Sequence, residues 1–144
     1  DSKDAMPPNS PLKVVSREGS DLDGNWVTNF NWVRDRAPSP FASVAFSKIL
    51  GFESERVVPR FVIQGVPGGA YDDVLAGVFY GWLNNNAALA VQARVGTGHL
   101  LVTTLRFDDY GRDPYATHLL DALVAYTSGP DCAPKLALDL PSPR

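Results

Sequence analysis

Asp108, Asp109 and Asp113 crowd into one short loop, DDYGRD, directly after the apolar run HLLVTTLRF. Neighbouring carboxylates can share proton-transfer work or hold a cation, and in α/β sheets ligands gather at the strand ends. The bland use of the same residues is a solvated loop, with Asp113 before Pro114 placed as a helix N-cap. The other reactive groups are sparse. The two histidines, His99 and His118, would each need a nucleophile and an orienting acid. No Gly-x-Ser-x-Gly elbow occurs, and Cys132 follows a helix stop in a Pro-rich tail, a poor setting for an activated thiol. A single cysteine without His or Cys neighbours makes neither a zinc site nor an intramolecular disulfide. Gly96-Thr97-Gly98 looks like a phosphate-cradling loop. Such a loop must leave a strand and open a helix, whereas a second apolar run follows here and the Lys-Ser/Thr pair is missing. Its length and glycines fit a three-residue hairpin loop. No catalytic residue, metal site or cofactor site is expected.

The aromatic residues offer more. Trp26, Trp32, Tyr71, Tyr80 and Trp82 are many large rings for one domain. A ring face can stack on the C–H side of a sugar, anchor an interface or fill a core. Trp26, Trp32, Tyr71 and Trp82, with Asp108 and Asp109, are therefore the candidates for carbohydrate or interface contact.

These residues sit in a chain of 144 residues, 44% hydrophobic and 20% charged, with a formal net charge of −3. That length and composition suit one globular domain. The charge gives no electrostatic case for nucleic acid or an anionic membrane, and no apolar run approaches the roughly 18 residues of a membrane span. The opening DSKDAMPPNS is polar and Pro-containing, without the basic and apolar regions of a signal peptide. It reads as a linker, or as the start of a segment cut from a longer chain. A soluble protein, cytoplasmic or secreted, is expected.

The elements that must position the candidates alternate with turn chemistry. Residues 1–24 read as an extended lead-in, with LKVVS (12–16) as a short strand. NWVTNFNWV (25–33) is a strand or extended segment, and FASVAFSKIL (41–50) a short helix after Pro40. VVPRFVIQGV (57–66) is a buried strand and VLAGVFYGWL (74–83) a second apolar run. ALAVQARV (88–95) alternates, with Gln92 and Arg94 on its polar side, and the glycine loop links it to HLLVTTLRF (99–107). A helix then starts at Pro114, carries Ala116, Leu119, Leu120, Leu123 and Val124 as its apolar stripe, and stops at Gly129-Pro130. Residues 25–130 form the domain, and 131–144 a surface tail. Strands, a hairpin and one confident helix suggest an α/β or α+β domain that is incomplete by itself, because a doubly wound sheet needs several crossover helices.

VVPRFVIQGV, VLAGVFYGWLNNNAALAVQARVGTGHLLVTTLRF and DPYATHLLDALVAY, within residues 57–126, resemble the C-terminal region of glycoside hydrolase family 2 proteins of the β-galactosidase and β-glucuronidase type. Some of these carry a glutamine-amidotransferase-like, flavodoxin-like domain after the catalytic barrel. The G-x-G-x-x-x-x-T-T hairpin followed by a DP helix is also similar to the trehalose-utilisation type of that superfamily. The resemblance implies an α/β fold, part of a flavodoxin-like or class I amidotransferase-like three-layer architecture ending in a hairpin and a helix. It implies a non-catalytic accessory domain or fragment of a β-glycosidase, whose partner is a catalytic barrel on another segment or chain, with contacts between copies as a further role. Retaining enzymes of that family use two glutamates on the barrel. Glu18, Glu53 and Glu55 lie in no such motif, and the amidotransferase Cys elbow and His–Glu pair are unmatched. The alternative is a stand-alone carbohydrate-binding module using surface aromatics, and a third reading is a small hydrolase using Asp108 and Asp109.

Overall fold

The structure, a computed structural model, describes residues 6, 9–17, 29–44, 52–80 and 85–139. Among these described residues, six strands and one α-helix follow in chain order: β1 (Lys13–Ser16), β2 (Asn29–Val33), β3 (Phe61–Gln64), β4 (Val74–Tyr80), β5 (Asn85–Val95), β6 (Gly98–Thr103) and α1 (Pro114–Ser128). The strands form one sheet in the order β1-β3-β5-β4-β2, with β6 also paired to β5. Every pairing between these strands is antiparallel.

This corrects the expected architecture. The chain is a β-rich antiparallel sheet with one helix near its C-terminal end, not a three-layer flavodoxin-like or amidotransferase-like α/β fold. The reason lies in the connections. Parallel neighbours need a crossover of a dozen or more residues. Only residues 81–84 separate β4 from β5, and only Gly96-Thr97 separates β5 from β6. The near-continuous apolar runs, common in parallel strands, arise here because both faces of an antiparallel sheet are covered.

β5 is the spine. Along one edge it pairs with β4, from Tyr80↔Asn85 to Val74↔Val91. Along the other it meets β3 at Ile63↔Ala88 and then β6 from Ala90↔Thr103 to Val95↔Gly98. Beyond the start of β4 the vacated edge is taken by the C-terminal segment. Arg94 N–H donates to the Leu136 carbonyl at 2.7 Å, and Leu138 N–H donates to the Arg94 carbonyl at 2.8 Å. The described part of the expected surface tail, residues 131–139, therefore joins the sheet at Leu136–Leu138, with Cys132, Leu136 and Leu138 buried; residues 140–144 lie outside the described ones.

α1 covers one face with Ala116, Leu119, Leu123 and Tyr126, packing with Val62, Leu75, Val78 and Leu89. Its buried stripe is thus narrower than expected, since Val124 is exposed. Asp113 caps it as the sequence suggests, its carboxylate accepting from Ala116 N–H at 2.8 Å. The opposite face is closed by Leu12, by Ala70 from the 3-10 segment Gly68–Asp73, and by Leu136 and Leu138. Of the expected 41–50 helix, the described part begins as a 3-10 turn at Pro40–Ser43, and residues 45–50 lie outside the described ones. The hairpin loop is tighter than expected: Val95 pairs with Gly98, and of the two glycines only Gly96 takes a positive φ, +57°.

Candidate functional site: an aromatic pocket and a buried carboxylate

Directly opposed residues of an antiparallel sheet point to the same face. The registers therefore define one row across five strands on the face away from α1: Val14, Ile63, Ala88, Gly77 and Trp32. Large residues stand at the ends of the row, and Gly77 and Ala88 make a shallow floor. The Trp32 ring occupies the space that a side chain at Gly77 would need: a Cβ there would lie 2.7 Å from ring carbon Cζ2. β4 and β5 carry a matched irregularity between Val74↔Val91 and Gly77↔Ala88. Leu75 and Ala76 both pack toward the helix there, as do Leu89 and Ala90. Because the slip occurs on both strands, the floor returns to register.

A pocket of about 300 Å³ opens over this floor. Trp32 and Tyr71 contribute its rings, Ile63 and Ala88 its base, and Gln64 and Gly65 its polar edge. Gly65 turns the chain out of β3 with φ +81°, and a Cβ there would collide with the Pro11 carbonyl. Tyr71 is 59% exposed, so its ring stands at the mouth. Among the described residues no charged side chain lines the pocket. Two of the four aromatic candidates are thus brought together, while Trp26 and Trp82 lie outside the described residues.

The carboxylates behave differently. Asp108 pairs with Arg106 at 3.1 Å and Asp109 with Arg56 at 3.2 Å, both on exposed loop surface. They do not join Trp32 and Tyr71 in the pocket lining. His99 and His118 are exposed. Among the described residues no cluster of three or more His, Cys, Asp or Glu is placed to hold a metal ion.

The buried carboxylate is one the sequence reading passed over. Asp73, 1% exposed, accepts from the Gln92 amide at 2.8 Å, from Leu136 N–H at 2.6 Å and from Lys135 N–H at 3.1 Å. Gln92 Oε1 in turn accepts from the Tyr126 hydroxyl at 2.8 Å, with Cys132 Sγ 3.9 Å away. Sheet, helix and C-terminal segment meet in this network. Burial, reinforced by the Asp73 charge, pushes the Cys132 thiol up, which keeps it protonated and unreactive. Burial likewise raises the Tyr126 phenol. On the surface beside it, Lys135 Nζ donates to Asp72 at 2.9 Å, which lowers the Asp72 carboxyl and raises the Lys135 ammonium. Gln92 could have been noticed as an amide amid apolar residues, because a buried amide demands partners. Asp73, in a run that reads as loop, carries no such mark.

Comparison with known proteins adds one match. A family model described as Domain of unknown function (DUF8487) matches residues 81–142, a span that takes in β5, β6, α1 and the described C-terminal segment. No curated protein matches the chain. No helix among the described residues is long and apolar enough to cross a membrane.

Proposed function

We propose that the chain is a non-catalytic accessory domain or fragment of a glycoside hydrolase family 2-like β-glycosidase, working beside a catalytic barrel on another segment or chain. Its partners are that barrel and further copies of itself. The resemblance across residues 57–126 supports the class. The observation that carries the non-catalytic part is how the carboxylates are used. Glycoside hydrolysis needs two carboxyl groups facing each other across a bond, roughly 5–9.5 Å apart. Here Asp73 is spent on the C-terminal segment, Asp108 on Arg106, Asp109 on Arg56, and Asp113 on the helix cap.

The reading is tested on native material. An affinity-tagged chain recovered from its own source should elute well above its 15.6 kDa mass with β-glycosidase activity in the same fraction. A 15.6 kDa monomer with no glycosidase activity co-eluting would overturn the proposal.

A further inference from the structure

We infer that the pocket between Trp32 and Tyr71 seats one neutral pyranose ring, and that it rejects uronates. The choice of a sugar rests on the accessory reading above; the narrowing to a neutral one rests on the lining alone.

A pyranose has an apolar C–H side and an equatorial rim of hydroxyls. It needs an aromatic face for the first and hydrogen-bonding groups for the second. The pocket supplies both. Trp32 is half-buried, its ring held over Gly77 by the register of β2 and β4. A ring fixed in this way loses little conformational entropy when a ligand stacks on it. Tyr71 rises at the mouth from the 3-10 segment. Gly65, which has no side chain, edges the pocket with its backbone alone, whose N–H and C=O are the hydrogen-bonding groups for the hydroxyls. At about 300 Å³ the space sits at the lower end of small-ligand pockets, room for one ring and not for a chain of them.

The missing charge sets the selectivity. Among the described residues the lining holds no Lys or Arg to meet a carboxylate, and no Asp or Glu to meet a cation. A uronate carboxylate entering it would shed water without a counter-charge, which costs more than a hydroxyl left in the same place. Specificity then comes from rejection of the charged analogue rather than from an added contact to the neutral one.

The test is a titration of the 144-residue chain with methyl β-galactoside, methyl β-glucoside and methyl β-glucuronide, followed at each backbone amide and indole N–H by NMR. Saturable shifts at Gly65, Val66 and the Trp32 indole are expected with at least one neutral glycoside, in the millimolar range proper to so small a ligand. The glucuronide should bind at least about tenfold more weakly. Tyr71→Ala should weaken the neutral sugar about fivefold, the worth of one stacked ring, without disturbing the remaining spectrum. Absence of saturable shifts at these positions up to about 100 mM of either neutral sugar, or shifts confined to another surface, would overturn the site. Equal binding of the glucuronide would overturn its neutrality. Hydrolysis of the glycoside in the same tubes would instead strike the accessory reading and leave the pocket standing.

Discussion

Removing the Asp73 carboxylate should release the C-terminal segment from the sheet. In Asp73→Ala the Gln92 amide and the Lys135 and Leu136 N–H groups lose their common acceptor. Each hydrogen bond to an ionised group contributes about 1.5–3 kcal/mol, and each buried donor left alone costs about 1–3 kcal/mol. The sum is capped, because the segment can lift away and let water reach the donors. Lifting then forfeits the burial of Leu136 and Leu138, about 1.5–3 kcal/mol apiece. Taken together the loss should be about 3–5 kcal/mol, the scale of breaking a buried charged contact and a large share of an ordinary domain's stability. Asp73→Asn keeps the volume and one acceptor oxygen but turns an NH2 toward donors, and about 2 kcal/mol is expected. Urea unfolding gives the stability. Amide hydrogen exchange at Leu136 and Leu138, whose partners are Asp73 and the Arg94 carbonyl, gives the location. A loss below about 1 kcal/mol with both amides still protected would refute the latch, because three stranded donors cannot cost so little.

Gly77→Ala should cost about 1–3 kcal/mol and displace the Trp32 ring, since the new Cβ would lie 2.7 Å from Cζ2 and 2.9 Å from the Ala87 carbonyl; urea unfolding and the Trp32 indole shift report both. Burial lifts the Tyr115 phenol to about 12 from an ordinary 10.0, with the Glu53 charge adding to the shift. The folded state therefore keeps a proton that the unfolded chain releases, so stability is full below about pH 10 and falls as pH rises toward 12. Tyr115→Phe should flatten that fall relative to the unaltered chain. It should be neutral or mildly stabilising at pH 7, because the hydroxyl has no hydrogen-bond partner among the described residues. Cys132, buried with its thiol pushed up, should resist a thiol reagent in the folded chain at pH 8 and react fully in urea; rapid labelling of the native protein would contradict its placement.

The locally encoded parts were legible. The Asp113-Pro114 start and Gly129 stop mark α1, and Gly96-Thr97 marks the hairpin, because caps and turns are written in adjacent residues. Sheet direction was not, because VLAGVFY reads alike in a parallel strand and in an antiparallel strand buried on both faces. The answer lay in the connection lengths, since residues 81–84 and Gly96-Thr97 are too few for a crossover. Trp32 and Tyr71 were legible as candidates, but their meeting depends on the pairing of β2, β4, β5 and β3, a relation between residues tens of positions apart. The docking of Leu136 and Leu138 went unseen because a Pro-rich segment carries no strand periodicity; Asp73 and the free edge of β5 impose its place.

We propose that this chain serves sugar hydrolysis without performing it. The most direct measurement gives the isolated chain p-nitrophenyl β-galactoside and β-glucuronide, beside the native high-mass fraction. The chain should release p-nitrophenol at the buffer rate and the native fraction well above it. Turnover by the isolated chain, lost on Asp109→Asn, would contradict the account.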